Sequence, residues 1–361
     1  MFHYTPGTGF GAVQNSIFEY IQQIHGHIFD PDRLPVAIAA VFLVSCIGIL
    51  TGPMGGNANP FLWRIIELFF GGIGGRLDRA DRTRADLSFR GFILTVTGLL
   101  IALFMGKFAH FLTLYYPQWK IMEIFLLSLS LTAGAVWFAL FRLFQALSSE
   151  KPLKGAFYTI ARSTRTDMST SDEYTITRIG IAMGARSFDK GLVAPVLWYL
   201  IAGLPGAYLY MGLAALSWRF GKEGFTKGFG QMSLTLEKLM GFVPNLLAGI
   251  LIALAGLFTP TARMSDALAA FKAREGTAPY EEGGWAVAAM AFALNVSLGG
   301  ATKDLDGSAI KRRWAGPKGA TAQLGASHLS RGIYISMMAH ILLLAVLCGA
   351  IVVSGHDLLD F

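Results

Sequence analysis

Ionisable side chains collect at the entrance to one apolar stretch. Thr177–Trp218 opens with a basic, glycine-containing run that carries Arg178, Arg186 and Lys190, with Asp189 among them, and passes directly into a hydrophobic segment. Gly203-Leu204-Pro205-Gly206 interrupts that segment at its middle. Upstream, the run ARSTRTD (161–167) sets Arg165 and Asp167 among hydroxyls. Arg, Ser and Thr hold phosphate oxygens by bidentate pairing and hydroxyl donation, although loops of this composition also occur without a ligand. The chain shows no Walker phosphate loop, GxGxxG, paired histidines for a metal or GxSxG elbow. Site chemistry therefore has to come from the Arg, Lys, Asp and Ser groups around the apolar break.

The elements that would position these groups follow from the break itself. Proline lacks the N–H that a continuing helix needs and glycine tolerates positive φ, so the sequence predicts a reversal between two half-helices over Leu192–Ser217. Pro195, Gly203, Pro205 and Gly206 are its structural residues. Inside a bilayer a broken backbone survives only where protein or a water-filled cavity covers it. That makes the hairpin the place to look for a binding site, with a hairpin that merely packs as the other reading.

At 361 residues, 53% hydrophobic and 15% charged, with mean hydropathy +0.51, the chain is too apolar for a soluble domain, in which about 25% of residues are charged. The fold class expected is an all-α polytopic integral membrane protein. It has about six transmembrane helices, a re-entrant half-helix hairpin and cytoplasmic amphipathic helices. The candidate spans are Leu34–Leu50, Gly91–Leu112, Ile121–Leu143, Phe242–Phe258 and Ile333–Val353, with Trp285–Leu298 as a shorter sixth. The net charge of +7 and pI near 9.4 do not point to nucleic acid, because the basic residues are spread over several loops without a motif. They fit the positive-inside pattern instead. With both termini outside, Arg33, Lys120, Arg263, Lys272 and Arg274 lie outside, and nearly all other Lys and Arg fall in cytoplasmic loops 53–90, 146–190, 219–240 and 301–332. Cys46 and Cys348 fall inside spans and imply neither a disulfide nor a metal site.

Residues 1–33 read as an amphipathic segment on the outer membrane face, with packing on a partner subunit as the alternative, and 34–361 as one polytopic domain. Trp63, Ile66, Phe70 and Ile73 give a short amphipathic period, and the alternating Arg/Asp run 76–90 reads as a solvated face or a phosphate contact. Ser169–Glu173 has the composition of a helix start. The run GWAVAAMAFALNVSLGG reads as a small-residue helix closed by Gly299-Gly300. Residues 260–284 read as an exposed extracellular helix and turn.

GLVAP, WYLIAGLPGAYLY, the Leu216…Gly221 region, FGQMSLTLEKLMGFVPN and GWAVAAMAFALNVSLGG, in that order, resemble the CobD/CbiB family of inner-membrane proteins, regarded as adenosylcobinamide-phosphate synthases. The resemblance implies an amide-forming step of late cobalamin biosynthesis. In it a corrinoid carboxylate is joined to aminopropanol or its phosphate by an ATP-dependent ligase that uses Mg²⁺, at the cytoplasmic face of a bacterial inner membrane. It implies Asp167, Asp189 and Glu237 as catalytic acids, with Arg165, Arg178, Arg186 and Lys190 holding phosphate or corrinoid carboxamides.

The polar motifs depart from the family. Where it reads Glu-Asn-x-x-Asp-Gly, this chain has Arg186-Ser187-Phe188-Asp189-Lys190-Gly191; where it reads Asn-Thr-Leu-Asp-Ser, here stand Ala214-Ala215-Leu216-Ser217-Trp218. Its Leu-Asp-Asp is Leu236-Glu237-Lys238, and its Pro-Asn-Ala-Gly is Glu281-Glu282-Gly283-Gly284. Losing carboxylates removes Mg²⁺ ligands and any general base together. The second expectation is therefore a catalytically degenerate relative, similar also to AmpE-like membrane proteins, serving as a structural or regulatory subunit beside membrane-protein partners.

Overall fold

The computed structural model describes residues 30–354 except 31, 80, 116–119, 150–154, 222–227, 274, 306 and 308. The amphipathic segment expected over 1–33 lies almost wholly outside the described residues. In chain order the elements are α1 (Arg33–Thr51), α2 (Phe61–Leu77), α3 (Arg84–Tyr115), α4 (Lys120–Ser128), α5 (Gly134–Ser148), α6 (Ala156–Thr164) and α7 (Glu173–Phe188). A π-helical turn, Asp189–Val193, leads into α8 (Ala194–Phe220). Then come α9 (Gln231–Ala255), α10 (Met264–Ala269), α11 (Gly284–Leu294), β1 (Leu298–Lys303), β2 (Ala309–Ala315) and α12 (Ala326–Ser354). Five stretches among the described residues are long and apolar enough to cross a membrane: 33–51, 84–115, 173–220, 231–258 and 326–353. This is a helical polytopic membrane protein.

The hairpin turns where its glycine stands. Ala202 leaves helical geometry (φ −131°, ψ 17°) and Gly203 takes φ 63°, ψ −160°, a region open essentially to glycine alone. Pro205 follows at the start of the second arm, where a missing N–H costs nothing. The arms close tightly: a Cβ on Gly206 would sit 2.5 Å from the Trp198 carbonyl oxygen. The second arm lies along α3, with Gly106 against Pro205 near the turn and Gly98 against Leu216 near the open end. Both open ends converge on one carboxylate, since Lys190 and Ser217 each reach Glu237. Pro195 sits in the first turn of α8, where proline is tolerated.

The expected span Ile121–Leu143 is two helices, α4 and α5, with a non-helical break before Gly134. The break is stitched to its neighbours. Thr132 donates its N–H to the Gly191 carbonyl (2.8 Å) and its hydroxyl to the Ala58 carbonyl (2.6 Å), so both of its donors are satisfied within the protein. On α2, Trp63, Ile66 and Phe70 are buried as their period predicts, while Ile73, Leu68 and Phe69 face outward. Asp172 caps α7 by accepting from Thr175 N–H (2.9 Å), within the helix start read from sequence.

Two expectations are corrected. The helix read over GWAVAAMAFALNVSLGG is shorter than expected: α11 stops at Leu294, Asn295 turns left-handed (φ 54°), and Gly299-Gly300 belong to β1 of an antiparallel two-stranded ribbon beside the otherwise helical fold. At eleven residues α11 is too short to span. Nor can 260–284 lie on the face opposite 301–332. Gly316 donates its N–H to the Gly276 carbonyl (2.8 Å), Lys318 pairs with Glu275 (2.8 Å), Arg331 donates to Thr261 (2.9 Å), and Arg313 N–H meets the Glu282 carboxylate. The hydropathy of α9 suggested a crossing, yet Thr261, just past its far end, is bonded to Arg331 in the first turns of α12.

Candidate functional site

The open end of the hairpin holds a buried polar cluster. Lys190 Nζ stands 2.8 Å from Oε1 and 3.0 Å from Oε2 of Glu237, which is fully buried on α9. The Tyr280 hydroxyl donates to Oε1 (2.8 Å), Ser217 Oγ to Oε2 (3.2 Å), and the Tyr210 hydroxyl lies 3.5 Å from Oε1. The ammonium also sits 4.3 Å from the centroid of the Tyr280 ring. A buried ion costs several kcal/mol to desolvate, and only a saturated set of partners offsets that. Beside it, Asn245 donates to Asp189 Oδ2 (2.6 Å) and to the Gly283 carbonyl (3.0 Å), leaving Asp189 Oδ1 buried without a hydrogen bond. The π-helical turn lets consecutive residues, Asp189 and Lys190, both be buried in the bundle. Burial and the neighbouring Tyr210 and Glu237 hold the Tyr280 phenol far above its ordinary range, so it is a donor here.

Two small cavities flank the cluster. One of about 20 Å³ lies between Lys190, Trp63 and Trp218; the other, about 60 Å³, lies between Arg186, Met183, Glu282 and Arg312. Sites for drug-sized ligands occupy roughly 300–1,000 Å³. These have room for water only. Burial pushes the Glu282 carboxyl up, and burial likewise lowers Arg312, whose guanidinium donates to Thr166 (3.2 Å).

The residues singled out from sequence divide into three places. Asp189, Lys190, Glu237 and Arg186 meet at the hairpin mouth. Asp167 stands apart at the ribbon: its N–H donates to the Lys303 carbonyl (2.8 Å), and the hydrogen bonds from Ser169 hold its carboxyl below the usual range. Arg178 is committed to structure, donating to the Ala322 carbonyl and Thr175 Oγ1 (2.6 Å each) and stacking on Trp314. Arg165 lies in a separate cleft, stacked on Trp218 and paired with Glu67 (3.7 Å) and Asp304 (3.6 Å). Trp63 and Trp218, edge to face at 5.8 Å, form the partition between that cleft and the hairpin mouth. Sequence reading missed the roles of Tyr210, Ser217, Tyr280 and Asn245. The available signal was Glu237 itself, an acid in an apolar helix that must find donors.

Mg²⁺ is held by one or two carboxylates together with waters and substrate phosphates in octahedral geometry. Both oxygens of Glu237 are engaged by donors, one oxygen of Asp189 is taken by Asn245, and no group of three His, Cys, Asp or Glu suited to a metal occurs among the described residues. The arrangement at the hairpin mouth does not fit a Mg²⁺ site.

The family profile described as CobD/Cbib protein matches residues 62–336, through the hairpin, the cluster and the ribbon. The chain belongs to the CobD/CbiB family. A Cobalamin biosynthesis protein CobD from Sinorhizobium sp is 28% identical over 72% of this chain and 83% of its own length. The protein of the same name from Rhizobium meliloti is 27% identical over 73% and 83%, and a Probable cobalamin biosynthesis protein CobD from Pyrococcus abyssi is 25% identical over 56% and 66%. No solved structure matches the chain. The CobD/CbiB match therefore rests on sequence, and it includes the positions where this chain carries Arg186 and Lys190.

Proposed function

We propose that the chain serves cobalamin biosynthesis as a CobD/CbiB membrane protein that has kept the scaffold and given up metal-assisted amide formation, acting as a structural or regulatory subunit of a membrane complex. The observation that carries this reading is the saturation of Glu237 by Lys190, Tyr280 and Ser217, with Asp167 away at the ribbon. Amide formation requires a carboxylate to be activated by phosphoryl transfer and a base to take the amine proton. A carboxylate locked to an ammonium is a poor candidate for either task.

The second reading is the amide ligase itself, joining a corrinoid carboxylate to aminopropanol or its phosphate with ATP and Mg²⁺. It is favoured by the family match through the hairpin and by Asp189 Oδ1, a buried acceptor beside Lys190 that lacks a hydrogen bond. Complementation separates the two. Expressed in a bacterium lacking its own synthase, and verified as inserted, the chain is expected not to restore corrinoid-dependent growth. Growth at normal expression would overturn the non-catalytic reading.

We infer a location in a bacterial inner membrane, with α1, α3, the α4–α5 pair and α12 crossing and both termini outside. Moving 260–284 to the cytoplasmic side leaves Arg33 and Lys120 as the loop cations outside, a sharper positive-inside bias than the sequence first suggested.

A further inference from the structure

Lys190, Tyr280, Ser217 and Tyr210 approach the Glu237 carboxylate, and only the lysine comes from the π-helical turn. Ser217 and Tyr210 belong to the second arm of α8, and Tyr280 to the turn before α11. Tyr280 is seated by the fold. Its hydroxyl also reaches the Glu237 backbone carbonyl (3.1 Å), and a Cβ on Gly241 would collide with it. These groups enclose a carboxylate, hydroxyls and the face of an aromatic ring, the components that recognise an ammonium ion in a buried site. Lys190 meets them together. Its Nζ takes both oxygens of Glu237 and stands 4.3 Å from the Tyr280 centroid, and Asp189 Oδ1 is a spare buried acceptor in the same cluster.

We propose that the hairpin mouth is a site for a primary ammonium group which the chain fills with its own Lys190, a tethered ligand that shuts the site to free ones. The inference rests on the non-catalytic reading of the mouth and names what holds it closed. A plain ion pair needs only its two charges. Here Tyr280 and Ser217 fix the carboxylate as well, so the shell keeps its shape when the lysine stem is cut back. Truncation at Lys190 joins the space of that stem to the cavity of about 20 Å³ against Trp63 and Trp218. What remains is a buried carboxylate without its counter-ion, which a free ammonium of the right length relieves.

Lys190→Ala removes the side chain beyond Cβ, which has the atoms of n-propylammonium. The full-length K190A protein, purified in dodecyl maltoside, is titrated with n-propylammonium chloride, with n-propanol, which lacks the charge, and with tetramethylammonium chloride, which lacks the N–H donors. Tryptophan fluorescence reports binding, and thermal melting reports stability. The expected result is saturable binding of n-propylammonium by K190A, a melting temperature raised toward that of wild type, and no response to the other two probes. Wild type, its site already filled, is expected not to respond. K190A/E237Q is expected to bind n-propylammonium about tenfold more weakly or worse, because a charge-assisted pair becomes a neutral hydrogen bond. No binding by folded K190A, an equal effect of n-propanol, or an equal response of wild type overturns the proposal. K190S, whose hydroxyl can still donate toward Glu237, replaces K190A should that variant lose its melting transition. Complementation reads growth and this titration reads occupancy of the pocket, so the failure of one is distinguishable from the failure of the other.

Discussion

Lys190 holds Glu237 by both carboxylate oxygens inside the bundle, at 2.8 and 3.0 Å, with 5% and 0% of their side chains exposed. Breaking a buried pair by removing one partner strands the other charge, at a cost of about 3–5 kcal/mol, whereas replacing both with apolar residues is often close to neutral. K190M and E237Q are each expected to lower stability markedly, and K190M/E237M to cost less than the sum of the singles. Unfolding in denaturant, followed by tryptophan fluorescence in micelles, measures it. Additive losses would show that the two residues do not act as a pair.

Gly203 turns the hairpin in a region that other residues avoid. G203A is expected to destabilise the protein by roughly 1–3 kcal/mol, the strain of a non-glycine residue there. The substitution P205A, at a position whose N–H has no helical partner, is expected to cost less. A G203A protein with an unchanged melting temperature would mean that the turn lies elsewhere.

Glu275 and Lys318 are paired at 2.8 Å although hydropathy placed them on opposite faces. In a protein whose Cys46 and Cys348 are replaced by alanine, E275C/K318C is expected to form a disulfide on mild oxidation, and both cysteines to react with impermeant maleimide from the same side. Labelling from opposite sides would restore the sixth span and undo the corrected sidedness.

The hairpin was legible because GLPG breaks a helix by chemistry local to four residues, and the buried face of α2 because its period is local too. The ribbon was not. Its strands lack clean alternation, and Gly299-Gly300 read as a helix stop although their positive φ (102° and 89°) serves a bulged strand packed under Trp314. The position of 260–284 also escaped, because hydropathy reports that α9 can sit in lipid but not which way its ends face. At the site, Asp189, Lys190 and Glu237 stood out as ionisable residues in apolar surroundings, whereas Tyr280 and Asn245 become partners only through contacts distant in sequence. Arg64 and Arg219 looked like ordinary loop cations until the fold set them around one recess.

The bridge from Asp167 to Lys303, reinforced by Arg165 with Asp304 and by Thr166 with Arg312, ties a segment made midway through translation to one made much later. A nascent chain can insert its first helices long before that clasp exists, and contacts so far apart in sequence form slowly. Until the ribosome has delivered the ribbon, that end of the bundle stays unlatched, and chains released before it should stall as inserted but unclasped intermediates open to proteolysis.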